Sequence, residues 1–144
     1  MLRVTKLTDY GIALMTRLAG FEGGSQITAP NLSRDMGLPL PTVRKILKVL
    51  TGENLLVSTR GIMGGYSLAR SPESITLMDM VSAFEGPISM TECVSGESCA
   101  CKVQNCDLRG NWSMVNQLMR NTLESYNLAQ MTGSLPEISD LRVK

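Results

Sequence analysis

Four cysteines are the residues of this chain whose type and spacing most directly suggest chemistry. Cys93, Cys99, Cys101 and Cys106 fall as C-x5-C-x-C-x4-C within 14 residues. Thiolates bind soft metal ions and carry out redox exchange, and the chain has no histidine to share either task. Catalysis by an imidazole base and zinc sites of the Cys/His type therefore lose their usual supplier. Structural zinc usually takes paired C-x2-C knuckles, which are absent. A disulfide framework needs an oxidising compartment, and Cys99 and Cys101 are too close in sequence for an unstrained bridge. A loop presenting three or four thiolates at irregular spacing suits a polynuclear iron-sulfur cluster. Zinc and thiol redox switching stay open on spacing alone.

The expected compartment agrees with that chemistry. The apolar patch from Gly11 to Met15 follows Asp9 and precedes Arg17, so it lacks the uninterrupted core of a signal peptide. No stretch approaches the roughly 18 apolar residues of a membrane span. The expectation is a cytoplasmic protein with no membrane partner, in which clustered thiols serve as metal ligands or redox groups rather than structural disulfides.

A second candidate set is basic. The chain has 144 residues and a formal charge of only +1, which fits one domain or a small domain with an appendage. That near-neutral total hides an asymmetry. Residues 1–70 carry nine Lys or Arg against four acids, a net +5, while residues 71–144 carry five against nine, a net −4. The first half is suited to a polyanion. With no paired acid and base and no nucleotide loop, an enzyme is the weakest reading.

The elements that must position these residues follow from periodicity. Gly11, Leu14, Met15 and Leu18 mark one face of a helix from Thr8, its expected N-cap, to about Phe21. A shorter helix is expected over Ala29–Met36, with Pro30 in its first turn, Gly37 just past its end, and Ile27, Leu32 and Met36 on the buried side. A third runs from Pro41 to about Leu50. Val43, Ile46, Leu47 and Leu50 form its apolar stripe, Arg44, Lys45 and Lys48 gather on another side, and Thr42 stands at its start. This pair joined by a tight turn describes a helix-turn-helix.

Residues 57–60 and 66–70, separated by Gly61-Ile62-Met63-Gly64-Gly65, read as a hairpin with Arg60 at its tip. Helix-turn-helix followed by a basic, glycine-rich hairpin is the winged-helix order, in which a helix enters the major groove and the wing touches backbone or minor groove. Ser74–Thr76 reads as a short extended piece. Leu77–Phe84 reads as a helix with Leu77, Met80, Val81 and Phe84 on one face. Beyond the cysteines, Trp112, Val115, Met119, Thr122, Tyr126 and Ala129 recur at spacings of three and four over about 18 residues, or roughly 27 Å of helix. A second copy of the chain is the economical cover for that seam, and a twofold dimer matches a palindromic site.

Leu7-Thr8-Asp9-Tyr10, the wing from Arg60 to Arg70, and a cysteine loop before a long helix resemble the IscR, NsrR and SufR-type family of bacterial iron-sulfur transcription regulators. The match covers about residues 1–130. The loop followed by Asp107-Leu108-Arg109-Gly110-Asn111-Trp112 looks most like regulators of the Suf iron-sulfur assembly operon. The resemblance implies a homodimer whose cluster is held by three loop cysteines and a variable fourth ligand. Cys93 and Cys106 carry over as the outer pair, and either Cys99 or Cys101 as the middle one. Arg109 stands where IscR-like members place a histidine ligand. The fourth ligand is then the remaining cysteine or a carboxylate, and Asp9 matches the N-terminal acid of NsrR-like members; as a first-turn acid it is also favoured by the helix dipole. Thr42, Arg44, Lys45, Lys48, Arg60 and Gly64 match DNA-reading positions, although IscR has an acid where Arg44 stands.

These readings combine into a mainly α protein with a small β-wing, a winged helix-turn-helix plus a long C-terminal dimerisation helix. The expected divisions are a DNA-binding domain over 1–86, a cluster loop over 87–110, a dimerisation helix over 111–131 and a tail over 132–144. The expected function is a repressor that binds double-stranded DNA at a palindromic operator and senses iron-sulfur status through a 2Fe-2S or 4Fe-4S cluster. The alternatives are a nitric oxide or redox sensor of the same fold, and an electron-transfer or iron-sulfur carrier protein.

Overall fold

The computed structural model describes residues 3–21, 26–91, 94 and 107–133. Three helices, a two-stranded antiparallel hairpin and three further helices follow in order. The first helix, α1, spans Lys6–Ala19 and buries Gly11, Leu14, Met15 and Leu18, the face that the spacing predicts. Its cap differs from the expectation. Thr5, not Thr8, takes the N-cap conformation, and its side chain accepts from the Thr8 amide. Thr8 lies inside the first turn and is fully buried, and its hydroxyl donates to the Glu85 carboxylate at the end of the fourth helix of the chain.

Helix α2, Ala29–Met36, is capped by the Thr28 side chain and stopped by Gly37 in the left-handed conformation, which glycine adopts without steric cost. Leu32 is its fully buried residue, with Ile27 and Met36 packed at the margin. Helix α3, Leu40–Gly52, completely buries Val43, Ile46, Leu47 and Leu50. Together with Leu14, Met15 and Leu32 these side chains make the centre of the core. Each is worth about 1.5–3 kcal/mol of apolar burial.

Strands β1 (Leu56–Thr59) and β2 (Gly65–Leu68) pair from Leu56↔Leu68 to Thr59↔Gly65. The chain then makes one 3-10 turn at Pro72–Ser74 and is extended at Ile75 and Thr76, so the extended piece expected over 74–76 is present one residue shorter. Helix α4, Leu77–Glu85, starts in a capping box between Thr76 and Asp79. It packs on α1 at a close approach: a Cβ on Gly11 would collide with the Phe84 ring.

The C-terminal helix departs furthest from the sequence reading. Helix α5 spans Leu108–Ser125, so it begins three residues earlier than expected and stops before Ala129. Tyr126 is extended, Asn127 caps a separate short helix α6 (Leu128–Thr132), and Leu128 is fully buried in the N-terminal core. The break has a distant cause. The Tyr126 carbonyl accepts from the Leu77 amide at 2.7 Å, and the Leu128 amide donates to Ile75 at 2.8 Å. Satisfying those backbone groups of the 75–77 segment requires extended backbone where a continuous helix would have none to offer.

Candidate nucleic-acid interface and the anchor of the cysteine segment

The geometry of α3 is set by its neighbours. Between α2 and α3 the Ser33 hydroxyl donates to the Leu38 carbonyl at 2.6 Å, and the Leu38 amide returns to the Ser33 carbonyl at 3.2 Å. With its apolar stripe locked in the core, α3 leaves Arg44, Lys45 and Lys48 exposed, with Thr42 half-buried at the N-terminal end. Arg44 and Lys48 are four residues apart and Lys45 and Lys48 three, so all three cations share one side of the helix.

None of these cations has a carboxylate partner among the described residues, whereas Arg17, Arg70 and Arg120 each do. Arg17 pairs with Asp35 at 3.6 Å, Arg70 with Asp79 at 3.2 Å and Arg120 with Glu124 at 3.8 Å. Arg70 also donates to the Ser74 carbonyl, tying the base of the hairpin to α4. Like charges gathered without counter-charges repel one another in the free protein. A polyanion relieves that repulsion and releases its own counterions.

The hairpin stands beside this helix in sequence and is braced from below. Ile27 exchanges two backbone hydrogen bonds with Tyr66, at 3.0 and 2.8 Å, and Thr59 bonds Gln26. This third strand-like segment is absent from the sequence reading, since a single bridging residue leaves no periodic signal. At the tip Arg60 is exposed, Gly61 takes a φ of 117°, and the Gly64 amide closes on the Gly61 carbonyl at 3.0 Å. A Cβ on Gly64 would strike the backbone at Thr59 and Gly61, so Gly64 shapes the tip and has no side chain to offer DNA.

A family model described as Rrf2, iron-dependent transcriptional regulator, matches residues 4–134. The chain belongs to the Rrf2 family. A helix-turn-helix transcriptional regulator of Mycobacterium tuberculosis is 28% identical over 137 residues, covering 94% of this chain and 85% of the relative. The crystal structure of CymR, described as the global cysteine regulator of B. subtilis, has the same fold, with a TM-score of 0.73 at 24% identity over 92% of this chain and 97% of CymR. IscR of T. potens gives a TM-score of 0.67 at 26% identity, covering 90% of this chain and 85% of IscR. Rrf2 membership makes this a DNA-binding transcriptional regulator of winged-helix architecture, and the related proteins are regulators rather than enzymes. No helix among the described residues is long and apolar enough to cross a membrane.

In this Rrf2 chain the four cysteines, Cys93, Cys99, Cys101 and Cys106, all lie outside the described residues. Four thiols and no imidazole are a soft-metal donor set that fits iron-sulfur or zinc. Among the described residues, no three His, Cys, Asp or Glu side chains come together to hold a metal. Asp9 is exposed on the first turn of α1, and Arg109 is exposed on the first turn of α5.

The approach to the cysteines is well fixed. The Glu85 carboxylate, at the end of α4, accepts from the Thr5 amide at 2.8 Å and from the Thr8 hydroxyl. Those hydrogen bonds, the Thr8 one foremost, hold its pKa below the ordinary carboxylate value. Gly86 then turns the chain at a φ of 77°. At Met90 the backbone amide donates to the Asn116 side-chain carbonyl at 3.2 Å. Asn116, only 9% exposed, is the buried residue of α5. Sequence reasoning did not single out Glu85 or Asn116; a lone amide among the apolar residues of a seam was the available signal for the second.

Helix α5 leaves much of its apolar surface open. Leu108, Trp112, Met114, Val115 and Leu118 are all exposed, while Met119 and Leu123 line a groove of about 530 Å³ with Val4, Val81 and Ile88. The sequence seam correctly includes Trp112 and Val115 as unburied by their own domain. Its other members divide: Thr122 is exposed, Met119 turns toward α4, and Tyr126 and Ala129 fall beyond the helix end.

Proposed function

We propose that this Rrf2 protein is a homodimeric repressor that reads a palindromic operator and adjusts its DNA affinity to iron-sulfur supply, controlling iron-sulfur assembly genes as the Suf-type regulators it resembles do. The observation that carries the DNA half is the unpaired cationic face of α3, set against the paired arginines elsewhere. Arg44, Lys45 and Lys48 meet the major groove or its flanking phosphates, with Thr42 at the helix start and Arg60 reaching from the wing. The exposed row on α5 packs against the same row of a second copy, which sets the spacing of the two reading helices.

The sensing half is supported by the thiol pattern and by the iron-dependent description of the matched family. Cys93 and Cys106, with Cys99 and Cys101, would hold the cluster, and Asp9 of either copy is the candidate carboxylate ligand. When bound, the cluster supplies a cross-link among the thiolates that forms with iron-sulfur supply and is lost with it. The chain's own part is to pass that ordering on. The segment before the cysteines is pinned to α5 through Asn116 and, through Glu85, to the N-terminus of α1. An ordered loop thus fixes α5 and α1 relative to each other, and loss of order frees them.

Anaerobic purification with iron and sulfide counts and a visible spectrum tests this reading. Iron and sulfide in equal amounts with absorption in the visible are expected. A colourless protein with one zinc per chain would overturn it. A nitric oxide or redox signal on the same fold is the second reading, its redox form supported by the likeness to CymR, described as a cysteine regulator. It predicts DNA release on mild oxidation or nitric oxide without prior iron-sulfur starvation.

A further inference from the structure

The tip of the wing carries two apolar side chains with no cover at all. Ile62 is 104% exposed and Met63 is 89% exposed, the two most exposed large hydrophobic side chains among the described residues. Neither serves the fold. The tip is held by backbone alone, through the Gly64 to Gly61 hydrogen bond, and the pairing of the hairpin ends at Thr59↔Gly65. Single exposed apolar side chains are ordinary on protein surfaces. Two adjacent ones at the end of a braced projection, next to an unpaired arginine, are set where a ligand would reach them.

We infer that Ile62 and Met63 form an apolar wedge that enters the DNA minor groove beside the segment read by α3 and partly unstacks one base step. The inference rests on α3 and the wing being the DNA face. Three observations choose the occupant. The hairpin is tied directly to the helix that bears that face, since β1 follows α3 within a few residues and packs against it. The surroundings are cationic, with Arg60 adjoining the tip and Arg44, Lys45 and Lys48 on the helix before it, so a polyanion is drawn to this end of the molecule and an apolar protein partner is not. The rung-by-rung length is adequate as well: four paired residues at about 3.4 Å each carry the tip roughly 10 Å out from the buried Leu56. Isoleucine and methionine are among the side chains that serve as wedges between base steps, and pyrimidine–purine steps yield most easily.

The wedge contributes affinity of a kind distinct from the cations. Its side chains displace water from sugar and base edges and touch no phosphate, so removing them weakens binding without changing the salt dependence. The test starts from a duplex selected out of a random library by the full-length wild-type protein. Ile62→Gln and Met63→Gln are each expected to weaken binding to it about tenfold, with the slope of log affinity against log salt unchanged. Arg60→Ala is expected to lower that slope by about one. A 2-aminopurine placed at the selected step brightens on binding wild type and stays dark with the double Gln variant. Both tip residues are exposed, so the melting temperature of each variant matches wild type. Double-variant affinity equal to wild type, or a slope that falls with it, overturns the wedge. If the selection enriches no duplex, the DNA face itself is wrong and the wedge falls with it; enrichment followed by equal affinities removes the wedge alone.

Discussion

Helices α3 and α5 are both amphipathic, yet only α3 has its whole apolar stripe covered by its own chain. Val43, Ile46, Leu47 and Leu50 of α3 are fully buried, and its cations are what solvent sees. On α5 the arrangement is inverted: the buried residue is Asn116, and Leu108, Trp112, Met114, Val115 and Leu118 face outward. An apolar stripe states that a helix needs cover without stating who provides it. The two helices differ accordingly, one leaving charge exposed above a buried apolar base and the other leaving apolar side chains exposed.

The contrast can be broken most forcefully at its rigid end. Leu47→Ala is expected to cost about 2–5 kcal/mol of unfolding free energy, as large-to-small changes in a filled core do; chemical denaturation measures it, and a loss below about 1 kcal/mol would contradict the packing described. The corresponding change on α5 has a different signature. If α5 is the proposed dimer face, Trp112→Ser combined with Leu118→Ser is expected to leave the fold of the chain intact by circular dichroism and to convert a two-chain species in sedimentation to a single chain. Should the double variant stay dimeric, the α5 face is not the interface.

On the charged face of α3, Arg44→Ala and Lys48→Ala are each expected to lower the salt slope of operator binding by about one if they neutralise phosphates. A loss confined to a single operator position, with the slope unchanged, reassigns that residue to a base contact. Smallest is the Glu85 contact. Because its folded-state pKa is lowered, its contribution to stability is present above the ordinary carboxylate range and disappears as pH falls through the lowered value. Glu85→Gln therefore flattens the acid limb of stability against pH, and identical acid limbs in the two proteins would remove Glu85 from the account.

What was legible in the sequence follows the same division. Helices α1 to α4 and the hairpin could be read because each buries its own periodic residues locally, with Gly37 marking the end of α2 where its chemistry requires it. The break at Tyr126 was not legible. Its cause is a backbone pairing with Ile75 and Leu77, some fifty residues away, and no local pattern records a hydrogen bond made at that distance. Thr8 was mistaken for a cap for a similar reason: its hydroxyl is used by Glu85 across the fold. Of the candidate site, the basic face of α3 was read correctly from spacing, since the opposite stripe fixes where it points. Gly64 stands at a tip so tight that a Cβ would meet the backbone at Thr59 and Gly61, a constraint that the spacing of the glycines alone does not record.

The central claim is that occupancy of the cysteine cluster controls the reading helices. It is tested most directly by operator affinity of cluster-loaded and cluster-free protein, measured anaerobically on the selected duplex at matched salt. The account predicts that the two forms differ by about 5- to 150-fold, a common size for coupling between two sites. Equal affinities for the two forms would contradict it.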